Sequence, residues 1–169
     1  MKRLSAPERT REELSALIKG ELGTATARSD LVRLALRLIV EEALEGEVSD
    51  VIGRERYERS DGRPAGYRNG YRTGKVKTAE GLVEYAAPQV RDTPEPFVSA
   101  IRDALGGRTE ELERLAVELY ARGLSTRDIE DAFTDETGRR LLSRAAVGEI
   151  TERLWAEYEA FSQRDLSEH

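Results

Sequence analysis

The run Leu119-Tyr120-Ala121-Arg122-Gly123-Leu124-Ser125-Thr126-Arg127-Asp128-Ile129 contains a helix stop followed at once by a helix start. Glycine at position 123 suits the residue just past a helix end, where a left-handed backbone is usual. Ser125 is an N-cap type with an acidic residue three positions on, close to a capping box, so the chain restarts as a helix almost immediately. Upstream, Leu112, Leu115, Ala116, Leu119 and Tyr120 fall on one face of a helix over 110–122. Downstream, Ile129 and Phe133 share a side of a second helix, Gly138 breaks the chain, and Ser143 starts a third. In that third helix Val147, Ile150, Leu154, Tyr158 and Phe161 recur at spacings of three, four, four and three. Three short helices with a glycine turn between the first two predict a helix-turn-helix-like domain.

Working back toward the N-terminus, residues 91–96 carry Pro94 and Pro96 and read as a linker. Before them Val83, Tyr85 and Ala87 alternate with Glu84 and Ala86, and Ala79-Glu80-Gly81 fits the turn of a small hairpin. Gly62, Gly66, Gly70 and Gly74 recur four apart with Pro64 among them, which predicts a loop-like stretch. A longer helix is predicted from about Ser29 to Ile52, with Ser29 and Asp30 as N-cap types and Gly53 as the stop. Leu14, Leu17 and Ile18 predict a short amphipathic helix over 8–20. The expected architecture is therefore mainly α, in three parts. Helices occupy 1–53, a basic Gly-rich loop with a small β-hairpin and a Pro linker occupies 54–96, and the helix-turn-helix-like domain occupies 97–169.

Charge is distributed unevenly. The 169 residues hold 27 Lys and Arg against 33 Asp and Glu, a net −6. Between Arg54 and Lys77, however, eight cations face three anions, so this segment is +5 and the rest of the chain is −11. Local field decides where a polyanion docks, so an acidic body with one basic segment is compatible with DNA. Within it, Gly66-Tyr67-Arg68-Asn69-Gly70-Tyr71-Arg72 alternates rings, guanidinium groups and glycines. Arginine can bond phosphates or guanine edges in bidentate fashion, and tyrosine can stack on bases. The plain alternative is a solvated linker. The expected phosphate contacts are Arg54, Arg56, Arg59, Arg63, Lys75 and Lys77, with Tyr67, Arg68, Asn69, Tyr71 and Arg72 at the groove. In the C-terminal domain the expected contacts are Arg127, Arg139, Arg140, Ser143 and Arg144, the last four at the tip of the third helix.

Other chemistries find little support. The absence of cysteine excludes disulfides, thiolate zinc sites and cysteine nucleophiles. The single His169 is the last residue, a poor position for a base or ligand. Glu41, Glu42, Glu45, Glu47 and Asp50 form one acidic group, and Glu130, Asp131, Asp135 and Glu136 another. Both are expected to be solvated helix faces rather than metal or acid–base sites. Leu31–Val40 is too short and too charged to span a bilayer, and no secretory signal is visible, so a soluble cytoplasmic protein is expected.

Taken in order, these blocks resemble a family. Glu41-Glu42-Ala43-Leu44-Glu45-Gly46-Glu47-Val48 leads into Gly53-Arg54-Glu55-Arg56-Tyr57-Glu58-Arg59, then the Gly-Tyr-Arg-Asn-Gly-Tyr-Arg run, Pro88-Gln89-Val90-Arg91 and Tyr120-Ala121-Arg122-Gly123-Leu124-Ser125-Thr126-Arg127. From about residue 30 onward the chain is similar to the N-terminal part of the mutator-type transposases of bacterial insertion sequences. The resemblance implies a region that binds the terminal inverted repeats in double-stranded DNA and helps pair subunits into a homo-oligomer. It also implies a downstream ribonuclease H-like domain with an Asp-Asp-Glu triad and magnesium, onto which no residue of this chain maps. The chain is accordingly expected to need no cofactor and not to be an enzyme by itself. Within the third helix Ala145-Ala146-Val147-Gly148-Glu149 departs from the family's hydroxyl and basic residues. The alternative reading is a helical oligomerisation module, centred on 29–52, or a competitor of transposition without sequence-specific DNA reading.

Overall fold

The computed structural model describes residues 4–20, 25–56, 58, 65–135 and 138–164. The element order is α1 (Ala6–Lys19), α2 (Ala25–Ile52), β1 (Tyr67–Thr78), β2 (Gly81–Arg91), α3 (Ala100–Leu105), α4 (Glu110–Ala121), α5 (Thr126–Ala132) and α6 (Arg144–Ser162). The fold is mainly α with one two-stranded sheet, as expected. Two compact units result, one from residues within 1–76 and 82–107, the other from residues within 77–81 and 108–169.

In the first unit α1 starts at a full capping box. The Ser5 side chain accepts from the Glu8 N–H, and the Glu8 carboxylate accepts from the Ser5 N–H at 2.5 Å. The helix packs on α2 through its fully buried Thr10. Helix α2 begins at Ala25, a turn earlier than the N-cap residues predicted. Asp30 is not a cap but an i,i+3 partner of Arg33 at 2.5 Å. Val40 and Leu44 of α2 pack with Val76, Val83, Tyr85 and Ala87 of the hairpin, and Leu36, Ile101 and Leu105 close the cluster. Burying side chains of this size contributes about 1.5–3 kcal/mol each. Helix α3, too short for a visible period, is held by α2: Glu47 accepts from the Ser99 hydroxyl (2.5 Å) and the Ala100 N–H (2.7 Å).

The hairpin corrects the sequence reading of the glycines. Residues 67–78, expected as loop, form a regular strand, and the Ala79-Glu80 turn joins it to β2. Thr78 closes the turn by donating its hydroxyl to the Gly81 carbonyl at 2.8 Å. The two-residue turn sets a register with Val76 opposite Val83 and Gly74 opposite Tyr85. The glycines have different reasons to be there. Gly70 has φ +76°, a conformation other residues adopt at a cost. Gly74 lies under the Tyr85 ring, where a Cβ would stand 2.3 Å from ring carbons. Gly66 is equally crowded, 2.7 Å from the Thr93 methyl. The spacing of four thus reflects close approach to residues distant in sequence, and Gly62 lies outside the described residues.

In the second unit α4, α5 and α6 pack on one another through Leu112, Ala116, Ile129, Val147 and Ile150, all essentially fully buried. The predicted capping box at Ser125 and Asp128 is present, and Ser143 caps α6 by accepting from the Ala146 N–H. Gly123 ends α4 with φ +94°. Between α5 and α6 the chain folds back on itself, with Thr134 bridging Arg140 and the Leu141 N–H donating to the Phe133 carbonyl at 2.8 Å. The face of α6 is only half used: Leu154 is partly buried, whereas Tyr158 and Phe161 are exposed.

Candidate nucleic-acid interface

Of the basic residues singled out in the 54–77 segment, Arg59 and Arg63 lie outside the described residues. Four others gather against the C-terminal turns of α2. Arg68, on β1, donates to the Ser49 hydroxyl at 2.7 Å and to the Arg54 carbonyl at 3.2 Å, and its Nε stands 3.6 Å from the Glu45 carboxylate. Tyr71 donates to Glu45 and accepts from Arg56 and from the Ala6 N–H. Arg56 also pairs with Glu45 at 3.2 Å and lies over the Tyr71 ring. Burial pushes the Tyr71 phenol above its ordinary value, and its hydrogen bond to the Glu45 carboxylate pushes the same way. Glu45, a residue assigned to a solvated acidic face, is therefore the hub of this network.

Tyr67 remains 42% exposed and carries the guanidinium groups of Arg54 and Arg91 at 5.5 and 5.9 Å from its ring. These three side chains, with Arg56 and Gly70, line an open polar groove of about 360 Å³. Asn69, Arg72 and Lys75 are exposed on β1. Lys75 pairs with exposed Glu84 at 3.0 Å, a weak surface interaction, while Arg72 forms no ion pair among the described residues. Lys77 is half-buried, and its carbonyl accepts from the Thr109 N–H at 2.9 Å.

The second unit arranges its arginines around a buried carboxylate. Glu130 on α5, 6% exposed, accepts from the Arg144 N–H at 3.2 Å and pairs with the Arg140 and Arg144 side chains at 3.2 and 3.5 Å. A carboxylate at the first turn of α6 also meets the positive end of that helix. The two guanidinium groups stay 58% and 55% exposed. Arg139 is exposed beside them, Ser143 caps the helix, and Arg127 is exposed on the first turn of α5. The α6 tip therefore offers cations to solvent while its backbone N–H groups are fixed.

The acidic groups are not the solvated faces expected of them. Glu41 is completely buried, accepting from the Thr10 hydroxyl at 2.6 Å, the Ala86 N–H at 2.8 Å and Arg37 at 3.1 Å. Three donors from α1, β2 and α2 itself offset the cost of taking a carboxylate out of water. Glu130 is the second exception. No sequence spacing marks either residue, because the partners come from other elements. Glu136 and His169 lie outside the described residues. Among the described residues no three His, Cys, Asp or Glu side chains are placed to hold a metal ion, and no helix is long and apolar enough to cross a membrane.

Comparison with known proteins adds a lineage. The family model described as "Transposase, Mutator family" matches residues 8–169. The chain is 35% identical over 136 residues to the transposase for insertion sequence element IS406 of Burkholderia multivorans, covering 79% of this chain and 34% of that protein. It is 30% identical over 139 residues to the transposase for insertion sequence element ISRM5 of Rhizobium meliloti, covering 82% and 34%. With the transposase for insertion sequence element IS1201 of Lactobacillus helveticus it shares 30% identity over 140 residues, covering 83% and 37%. The chain spans about a third of the length of these relatives.

Proposed function

Because the chain belongs to the Mutator family of transposases, we propose that it serves as a DNA-binding region that recognises the terminal inverted repeats of an insertion sequence. The observation that carries this reading is the α6 tip, where Arg139, Arg140 and Arg144 present exposed guanidinium groups at a capped helix N-terminus. Such a tip is suited to entering a major groove, with Arg127 on the preceding helix reaching toward phosphate. Asn69, Arg72 and Lys75 on the exposed side of β1 form a second contact set. Arg56, Arg68 and Tyr71 act on this reading as the scaffold that keeps the strand in place. Metal-dependent strand cleavage belongs to the part of the relatives that this chain does not span, so the chain by itself binds without cutting. Self-association accompanies binding, since two ends of an element must be brought together.

Binding to a labelled inverted-repeat duplex and to a scrambled duplex, measured across a salt series, tests the reading. Preference for the repeat is expected, with log affinity falling by about 0.9 per phosphate contact for each log unit of salt. Equal affinity for both duplexes overturns repeat recognition, and no binding at low salt overturns the DNA-binding reading altogether.

A further inference from the structure

Helix α2 is apolar on two sides. Its inner side carries the core residues Val40, Leu44 and Val48, while its outer side exposes Val32 by 49% and Ile39 by 64%. The outer stripe reads Arg28, Val32, Ala35, Ile39, Ala43, Gly46 and Asp50, with successive spacings of four, three, four, four, three and four. At 100° per residue these positions stay within one narrow face of the helix. All are exposed except half-buried Ala35. The spacing is a palindrome about Ile39.

From this we infer that the face is a homodimer interface in which α2 packs antiparallel on α2 of a second copy, with the two-fold axis at Ile39. An antiparallel partner places Ile39 against Ile39, Ala35 against Ala43, Val32 against Gly46 and Arg28 against Asp50. Each large residue thus meets a small one, and each terminal charge meets its opposite. Neither Arg28 nor Asp50 has an ion-pair partner among the described residues. A parallel pairing would set Arg28 on Arg28 and Asp50 on Asp50, so charge selects the antiparallel arrangement. Gly46 supports the same partner. A Cβ there would meet nothing within 4 Å, so no contact inside this chain requires the glycine, although mid-helix glycine is less stable than alanine. The room it leaves is filled by Val32 of the second copy. A closed two-fold interface of this kind is self-complementary by construction.

The inference rests on the self-association in the reading above, and the two fail separately. The chain has no cysteine, so introduced thiols report geometry cleanly. In the full chain, Ile39→Cys is expected to cross-link to dimer on mild oxidation or with a short bis-maleimide. Ala35→Cys alone is expected not to, whereas Ala35→Cys with Ala43→Cys is. In light scattering, Ile39→Glu is expected to shift dimer to monomer with unchanged circular dichroism, since the side chain faces away from the core. Arg28→Asp is expected to weaken the dimer and added Asp50→Arg to restore it. A wild type that stays monomeric at high concentration overturns both self-association and this interface. A wild-type dimer that resists Ile39→Glu, or cross-linking of Ala35→Cys alone, overturns this interface only. Duplex binding by monomeric Ile39→Glu reads the DNA-binding proposal independently.

Discussion

Two sets of arginines in this chain look alike in composition and are built in opposite senses. Around Glu45 the guanidinium groups turn inward: the Arg68 side chain is 18% exposed and that of Arg56 26%. Around Glu130 they turn outward, with Arg140 and Arg144 each more than half exposed. In both places a shielded carboxylate organises the cations. What differs is which partner is spent on structure. The first set uses its arginines to fasten β1 to α2, whereas the second uses its glutamate to hold arginines ready at a helix tip. A count of positive residues therefore locates basic segments without telling which cations are free to meet a polyanion.

Removing the two carboxylates should break the comparison most visibly. Glu45→Ala strands Arg68 in a shielded position and removes the acceptor of Tyr71, so a loss of about 3 kcal/mol of stability is expected in denaturant titration. Glu130→Ala should cost less, about 2 kcal/mol, because Arg140 and Arg144 relax into water and only the α6 N–H loses its partner. Equal losses in the two variants would show that the sets are not built differently. The arginines sharpen the contrast in the other direction. Arg140→Ala with Arg144→Ala should leave stability within about 1 kcal/mol of the parent and reduce the salt slope of duplex binding by about 0.9 for each side chain. Arg68→Ala should do the reverse, lowering the melting temperature while the folded fraction keeps its salt slope.

The smallest expected effect is on acid stability of the second unit. Glu113 is held below its ordinary value of 4.5, first by its hydrogen bond from Arg108 at 2.5 Å and also by Arg153. The Ser125 cap lowers Asp128 in the same way, although that carboxylate is fully exposed. A lowered folded value means these groups stabilise the unit at neutral pH. The contribution fades as pH falls below about 4.5 through the folded values. Glu113→Gln should flatten that acid limb in a thermal melt series, and a limb on the alkaline side instead would reverse the sign.

Local signals carried much of the fold. The Ser125–Asp128 box, the Ser143 cap, the Gly123 stop and the Ala79-Glu80 turn each rest on residues within four positions, and all stand where the sequence places them. The exposed α6 tip was legible for the same reason. What escaped depends on distant partners. Gly74 reads as a loop residue until Tyr85 lies across it, Glu41 reads as solvated until Thr10 and Ala86 donate to it, and Arg68 reads as a free cation until Ser49 and Glu45 surround it. Helix α3 escaped because six residues hold too little periodicity.

The ring of Tyr85 over Gly74 has a magnetic consequence. One glycine α-proton points into the face of that ring, where circulating π electrons shield it, so its resonance should stand far upfield of every other glycine in the chain. That single peak gives a residue-level reporter of strand register in solution. Its return to an ordinary glycine position would mark the moment the hairpin lets go.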